Sequence, residues 1–191
     1  MSRLSDHRTI DDERLTSLAL AARTGTRADV EVFTRAVYQE VWRYLAYLTD
    51  PQSAEDLTQE TFVRVLKSLP GFAGRAPART WLLSIARRVV ADRFRSAAAR
   101  PVIADVPDWQ AAAERCRSHG LPGPDEGIAL AELLAEVQRE RRDAFVLTQL
   151  VGLPYAEAAR LIGCPVGTVR SRVARARSQL IASLLDADRA A

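Results

Sequence analysis

With 191 residues, 48% of them hydrophobic and 27% charged, the chain can form one mid-sized or two small folded domains, which excludes a disordered or fibrous protein. Its two cysteines, Cys116 and Cys164, indicate no disulfide framework, and no apolar run approaches the roughly 20 residues of a membrane-spanning helix, so we expect a cytoplasmic protein. The net charge of +3 hides two basic zones: residues 70–100 hold seven arginines against one acid, and residues 157–177 hold five against one. Such zones suit contact with a polyanion at two places, although two solvated helix faces would have the same composition.

Helical periodicity dominates the chain from Arg14 onward and strand-like alternation is absent, so the sequence predicts an all-α protein. The first distinctive helix is predicted within the motif of residues 50–66, where Ser53 followed by Asp56 is an N-terminal capping pattern. One face of this helix is predicted to be buried and consists of Ala54, Leu57, Thr61, Phe62, Val65 and Leu69. The other face is polar around an apolar centre and consists of Asp56, Gln59, Glu60, Val63 and Lys67. A surface of that kind suits a partner protein, and the alternative is an ordinary solvated face.

A loop that contains Gly and Pro, residues 70–79, precedes a second, basic helix. The loop offers backbone groups and the Phe72 ring to an unstacked nucleic-acid base. Trp81, at the start of the helix, is predicted to be partly buried structure rather than a stacking platform. The helix is predicted to turn one apolar side inward, formed by Leu82, Ile85, Ala86 and Val89. Its opposite side would lie across a duplex and consists of Ser84, Arg87, Arg88, Ala91 and Arg95.

Proline and glycine cluster between Pro101 and Gly127, in a stretch without a sustained apolar face. This stretch is predicted to be a flexible linker. The predicted architecture is therefore two small helical domains, residues 1–100 and 128–191, joined by a linker over residues 101–127.

The C-terminal part has the layout of a helix-turn-helix. A helix is predicted over residues 140–150 with Gly152 as its stop, and a short helix over residues 154–162 ends at Gly163. A tight turn then leads to a longer helix that starts at residues 166–168. A plain helical bundle is the alternative.

The helical wheel of the last helix separates a buried side from an exposed one. The buried stripe is predicted to be Val169, Val173, Ala176 and Leu180. The opposite side consists of Ser171, Ala174, Arg175 and Ser178, which are small or hydrogen-bonding residues that let a helix approach base edges. Arg175 is the best base reader, because arginine donates two hydrogen bonds to guanine, whereas the flanking Arg170, Arg172 and Arg177 suit phosphates.

Three runs of residues are similar to one protein family. The run LVGLPYAEAARLIGCPVGTVRSRVARAR, residues 150–177, closely resembles region 4.2 of the extracytoplasmic function (ECF) sigma factors, group 4 of the sigma-70 family. The run DPQSAEDLTQETFVRVL, residues 50–66, resembles region 2.2, and GFAGRAPARTWLLSIARRVVADRFR, residues 71–95, resembles regions 2.3 and 2.4. The motifs stand in the family's order, and the resemblance is nearest to the sigma-C-like members of actinobacteria.

The resemblance implies a promoter-specificity subunit of bacterial RNA polymerase that is not an enzyme. The resemblance places Arg170, Ser171, Ala174 and Arg175 where family members contact the −35 promoter element, and the flanking Arg172 and Arg177 complete the predicted −35 surface. Regions 2.3 and 2.4 melt and read the −10 element in the family, so the predicted −10 surface consists of Phe72, Arg75, Arg79, Ser84, Arg87, Arg88, Ala91 and Arg95. The helix of region 2.2 would dock on the clamp helices of the polymerase β′ subunit, and region 4 would contact the β flap. The chain departs from the family at Arg88, where Asn is common, so the −10 base that is read stays open.

Other functional classes fit the sequence less well. No nucleophile elbow or Gly-rich phosphate loop indicates an enzyme or a bound cofactor. Cys116 and His119 are two potential metal ligands, whereas a structural zinc ion needs four, so we expect no metal. A helix-turn-helix activator is the alternative, but the N-terminal half lacks the βα pattern of a receiver domain. The sequence leaves open whether an anti-sigma factor is a further partner. The terminal Ala190–Ala191 resembles a tail read by the ClpXP protease, and frayed alanine-rich ends are the alternative.

Overall fold

The computed structural model describes residues 11–98 and 124–190, and all regular structure in these two ranges is helical. In chain order the helices are α1 (Asp12–Thr24), α2 (Arg27–Leu48), α3 (Pro51–Ser68), α4 (Ala78–Ala98), α5 (Pro124–Glu136), α6 (Arg139–Phe145), α7 (Tyr155–Ile162) and α8 (Val166–Ala190). A 3-10 turn, Leu69–Gly71, follows α3, and a π-helical turn, Val146–Leu150, follows α6. The prediction of an all-α fold is confirmed. Within these ranges no helix is long and apolar enough to cross a membrane.

The predicted linker lies largely outside the described residues. Residues 124–127, which the sequence assigned to its end, form the first turn of α5 instead. Cys116, His119 and Ala191, which the sequence analysis considered, also lie outside the described ranges.

The start of α3 differs from the prediction by one turn. Asp50, not Ser53, is the N-terminal cap: its Oδ1 accepts a hydrogen bond from the Ser53 backbone N–H at 2.7 Å. Pro51 then occupies the first helical position, where its missing N–H leaves no bond unmade. The prediction was wrong because Ser and Asp are both good N-terminal caps, and Ser53 has an acidic residue, Asp56, three positions later, as in a capping box.

Helices α1 to α4 enclose an apolar core. Its largest fully buried side chains are on α1 and α2 and include Leu15, Phe33, Trp42 and Tyr44. The predicted inward faces of α3 and α4 are all buried, as expected for Ala54, Leu57, Thr61, Phe62, Val65, Leu69, Leu82, Ile85, Ala86 and Val89. The 3.6-residue period was therefore sufficient to identify which side of each helix packs inward.

The C-terminal helices form the predicted helix-turn-helix. The helix expected over residues 140–150 is α6 plus the π-helical turn, and Gly152 follows with φ 81°. Gly163 ends α7 with φ 80°, a conformation that favours glycine because it has no Cβ. The predicted stripe on α8 is buried and consists of Val169, Val173, Ala176 and Leu180.

The two groups of helices pack against each other. Tyr44 on α2 is fully buried, and its hydroxyl donates a hydrogen bond to Asp143 Oδ1 on α6 at 3.1 Å. Arg87 Nε on α4 lies 2.7 Å from Asp143 Oδ2. Arg142 Nη1 donates to the Leu48 carbonyl at 3.3 Å. In this structure, therefore, the second helical unit docks on α2 and α4, a contact that the sequence analysis did not foresee.

The cap of α3 yields a prediction about stability. Asp50→Ala should lower the free energy of unfolding by about 1 kcal/mol, because the Ser53 N–H loses its acceptor. Ser53→Ala is the matched control and should change that free energy by less than about 0.5 kcal/mol, because alanine is a better helix former than serine inside a helix. Urea unfolding measures both variants, and a larger loss for Ser53→Ala would show that serine is the cap.

Candidate nucleic-acid interface

Helix α8 presents an exposed face of small and hydrogen-bonding residues. Ser171, Ala174, Arg175 and Ser178 are all exposed, opposite the buried stripe of the same helix. The Ser171 and Ser178 hydroxyls donate to the carbonyls of Thr168 and Ala174 at 3.0 and 3.1 Å. These side chains lie close to the helix, so a nucleic-acid groove can approach the backbone of α8.

The arginines of α8 differ in their contacts with the protein. Arg170 and Arg175 are exposed to solvent. Arg172 is half-buried, with Nη1 3.7 Å from the Cys164 sulfur in the turn before α8. Arg177 Nη2 donates to Gln149 Oε1 at 2.8 Å across the helix-turn-helix. Among the described residues, Arg172 and Arg177 thus have side-chain contacts with the rest of the helix-turn-helix, whereas Arg170 and Arg175 extend into solvent.

Helix α4 has a second basic face. Arg88 and Arg95 are exposed, and Arg95 forms an ion pair with Asp92 one turn earlier. Ser84 and Ala91 are half-buried on the same side, and the Ser84 hydroxyl donates to the Trp81 carbonyl at 2.6 Å. The predicted division of α4 into an apolar and a basic side is thus present in the structure.

The second helical unit covers part of that basic side. Arg87 contacts Asp143, which is 7% exposed, and the Thr80 hydroxyl donates to Glu157 on α7. Burial lowers the pKa of Arg87, but the Asp143 carboxylate outweighs this effect, and the pKa lies above its usual value. Arg87 is therefore charged and paired with the Asp143 carboxylate. A DNA phosphate would have to displace this carboxylate to bind Arg87.

Tyr44 is the second partner of Asp143 in this contact. Burial raises the pKa of its phenol well above the usual value, and the negative charge of Asp143 raises the pKa further. The hydroxyl therefore keeps its proton and donates to the carboxylate. Sequence reasoning missed both Tyr44 and Asp143, because neither stands in a motif and their contact joins helices that are distant in the chain.

Two residues predicted to touch DNA lie inside the protein. Phe72 is 5% exposed and its ring packs on Trp81, with the ring centroids 4.7 Å apart. The Arg79 side chain is 8% exposed and forms ion pairs with Asp12 and with Glu40 Oε1, the latter at 2.7 Å from Nε. Arg75, in the same loop, is exposed. The expectation that Trp81 is partly buried structure is confirmed.

The polar face predicted on α3 is exposed. Asp56, Gln59, Glu60 and Lys67 surround Val63, which is 51% exposed, and the neighbouring Leu66 is 44% exposed. Arg64 forms ion pairs with Glu60 and, at 2.6 Å, with Asp92 of α4. Its hydrogen bond lowers the pKa of Asp92. An apolar centre within a charged rim is typical of a site for another protein.

Two family models match the chain. Sigma-70 region 2 matches residues 30–100, which include most of α2 and all of α3 and α4, and Sigma-70 region 4 matches residues 128–180, which include the helix-turn-helix. In the part of the chain that the structure describes, no three or more His, Cys, Asp or Glu side chains converge as metal ligands would.

Full-length relatives and solved structures agree with these matches. The ECF sigma factor SigC of Mycobacterium tuberculosis is 47% identical over 174 residues, 90% of this chain and 92% of that protein. The ECF sigma-E factor of Salmonella typhimurium is 31% identical over 183 residues, 88% of this chain and 94% of that protein. The solved structure of CnrH with the cytosolic domain of CnrY covers 93% of this chain and 99% of that chain, with 27% identity and a TM-score of 0.64. The Bartonella quintana sigma factor RpoE, solved with the anti-sigma factor NepR, has the same fold at 23% identity, with a TM-score of 0.63 over 80% of this chain and 94% of that chain.

Two sigma-70 regions in the family's order and close relatives over nearly the whole chain lead to one conclusion. The protein belongs to the ECF group of the sigma-70 family and is an alternative RNA polymerase sigma factor of the sigma-C-like type.

Proposed function

We propose that this sigma factor reads the −35 promoter element with α8 and the −10 element with α4, while α3 binds core RNA polymerase. One observation carries the proposal: the basic, small-residue face of α8 is free in the structure, opposite a fully buried stripe. A face of this kind fits the major groove, and the polymerase is recruited through a different helix.

At the −35 element Arg175 reads base edges and Ser171 and Ala174 allow the close approach. Arg170, Arg172 and Arg177 contact phosphates and set the position of α8. The exposure of Arg170 and Arg175 supports these roles. Arg172 and Arg177 would exchange their contacts with Cys164 and Gln149 for phosphate oxygens.

At the −10 element the proposed DNA surface consists of Arg75, Ser84, Arg87, Arg88, Ala91 and Arg95. Because Phe72 and Arg79 are buried, we assign them to holding the loop rather than to touching DNA. Arg87 contacts DNA only after Asp143 has moved away from it. Promoter binding through α4 therefore requires the second helical unit to leave its position on α4.

The polymerase surface consists of Asp56, Gln59, Glu60, Val63 and Lys67 on α3, and its partner is the β′ clamp helices; the β flap contacts the second unit. CnrH, which is similar to this chain over 93% of its length, was solved in complex with the cytosolic domain of CnrY, and this supports a regulatory protein partner, the anti-sigma factor that the sequence left open. The protein acts in the cytoplasm, where the polymerase is, and catalyses no reaction itself. A role of Ala190–Ala191 in ClpXP degradation stays a prediction.

Run-off transcription with purified core polymerase tests the proposal against the alternative of an activator. A sigma factor starts RNA synthesis on its own promoters with core enzyme alone, whereas an activator requires another sigma factor to be present. RNA that appears only after a second sigma factor is added would contradict the proposal.

The polymerase surface yields a matched pair of variants. Val63→Asp should weaken binding to core polymerase at least about tenfold, because it places a charge in the apolar centre of the interface. Val32, also 51% exposed but on α2, is the control, and Val32→Asp should leave the affinity unchanged. Affinities come from fluorescence titration of labelled protein with core enzyme. Equal losses in both variants would remove α3 from the proposed interface.

The −35 surface yields a test of base reading. Arg175→Ala should lower holoenzyme affinity for a cognate −35 duplex by roughly tenfold to a hundredfold and relax the preference at one base pair. Arg170→Ala should instead weaken binding to all duplexes equally and reduce the salt dependence, because it removes a phosphate contact. Competition binding on duplexes with single base changes separates the two patterns. An unchanged preference in Arg175→Ala would exclude this residue as the base reader.

The contact between the two units yields a test in the absence of polymerase. Asp143→Asn keeps an acceptor for the Tyr44 hydroxyl but removes the charge that holds Arg87. The free variant should therefore bind single-stranded −10 DNA more tightly than the wild type does, and Arg87→Gln in the same background should cancel the gain. Fluorescence anisotropy measures both, with thermal unfolding as the check on folding. A variant that folds normally and binds no better would show that Asp143 does not compete with DNA.

A further inference from the structure

The loop between α3 and α4, residues 72–77, is held at both ends by α1. At its start Arg23 Nη1 donates a hydrogen bond to the Phe72 carbonyl at 3.1 Å. At its end the Thr16 hydroxyl oxygen accepts a hydrogen bond from the Ala78 N–H at 3.0 Å. These bonds join residues that are 49 and 62 positions apart in the chain. Helix α1 therefore spans the loop from one end to the other.

The bond from Ala78 also completes α4. Ala78 is the first residue of that helix, and the first N–H groups of a helix have no partner within it. Thr16 supplies the acceptor from another helix and at the same time donates to the Asp12 carbonyl at 2.7 Å, which fixes the orientation of its hydroxyl. One residue further along, the buried Arg79 forms an ion pair with the Asp12 carboxylate. A hydrogen bond and an ion pair thus join the first turn of α4 to the N-terminal part of α1.

The middle of the loop also rests on α1. Gly74 has φ 67°, and a Cβ at this position would lie 3.5 Å from the methyl groups of Leu20. The loop and α1 line an open depression of about 400 Å³, formed by Asp12, Glu13, Thr16 and the four residues from Gly74 to Pro77. This volume is within the range of sites for small organic groups. Helix α1 is therefore the wall that faces the loop across the depression.

We propose that Arg23, Thr16 and Asp12 are positioning residues that hold this loop in the shape that receives an unpaired promoter base. The inference rests on the proposed function, in which Arg75 of this loop belongs to the surface that binds the −10 element. Helix α1 precedes residue 30, where the match to Sigma-70 region 2 begins, so the role falls on a segment outside that match. The physical reason is pre-organisation, because a loop that is ordered before binding loses less conformational entropy when it captures a base.

The test uses holoenzyme assembled from core polymerase and full-length variants. Thr16→Val keeps the shape of the side chain and removes the acceptor of the Ala78 N–H. Arg23→Gln shortens the side chain and takes its donor out of reach of the Phe72 carbonyl. The controls are Ser17→Ala, whose hydroxyl donates only within α1 to the Glu13 carbonyl, and Arg14→Gln, an exposed arginine of the same helix. Thr16→Ser restores the hydroxyl and should restore the wild-type behaviour.

Two measurements are made on each variant. Promoter opening is followed by the fluorescence of 2-aminopurine in the −10 element, and it should fall roughly threefold to tenfold in Thr16→Val and Arg23→Gln, the effect of one lost hydrogen bond. The affinities of the holoenzyme for forked templates that differ in a single unpaired −10 base are then compared by titration. The ratio between the best and the other bases should shrink in these variants, whereas a loss of folded protein alone would lower binding to every template equally.

The outcomes are distinct. A smaller base preference with unchanged binding to a −35 duplex, restored by Thr16→Ser, supports the role of α1. Wild-type opening and wild-type preference in Thr16→Val and Arg23→Gln would overturn it, and so would a loss that is equal for all bases. If the wild-type holoenzyme opened no promoter at all, the proposed function itself would be wrong, and that result is seen before any variant is compared.

Discussion

The carboxylate of Asp143 receives a hydrogen bond from the buried Tyr44 hydroxyl and an ion pair from Arg87, and this contact joins the two helical units of the protein. A carboxylate that is 7% exposed is stable only when its charge is compensated, and here an arginine and a phenol do so. The arginine comes from the face of α4 that DNA would occupy. The arrangement of the helices thus depends on a contact that the proposed binding of −10 DNA to α4 would break.

The arginines of residues 70–100 show how far surroundings change the role of one residue type. Arg79 is buried between Asp12 and Glu40 and fastens helices together, Arg87 joins the two units, and Arg88 is exposed. In the sequence all three contribute equally to a basic zone. In the structure Arg79 and Arg87 are already paired with carboxylates, whereas Arg88 can contact a polyanion without first breaking an ion pair. The positive charge that can attract DNA is therefore smaller than the composition indicates.

The proposed polymerase surface and the proposed DNA surfaces lie on different helices. The exposed face of α3 is not involved in the contact between the units, so it is accessible while Arg87 is still paired. Arg64 of α3 is paired with Asp92 of α4 at 2.6 Å, and this ion pair joins the helix of the proposed polymerase surface to the helix of the proposed −10 surface. An order in which the polymerase binds first and DNA second is compatible with both observations.

The sequence by itself determined the helical class, the buried stripes of α3, α4 and α8, and the family, because a 3.6-residue period and the spacing of motifs are local properties. The same periodicity also predicted which residues of α8 and α3 are exposed. Only the tertiary structure decided that Arg79 and Phe72 lie inside, that Asp143 covers Arg87, and that α1 holds the loop before α4. The reason is distance along the chain: Asp143 stands 56 positions from Arg87, and Asp12 stands 67 from Arg79. The pattern of neighbouring residues in a sequence does not predict which charged side chains form ion pairs across such separations.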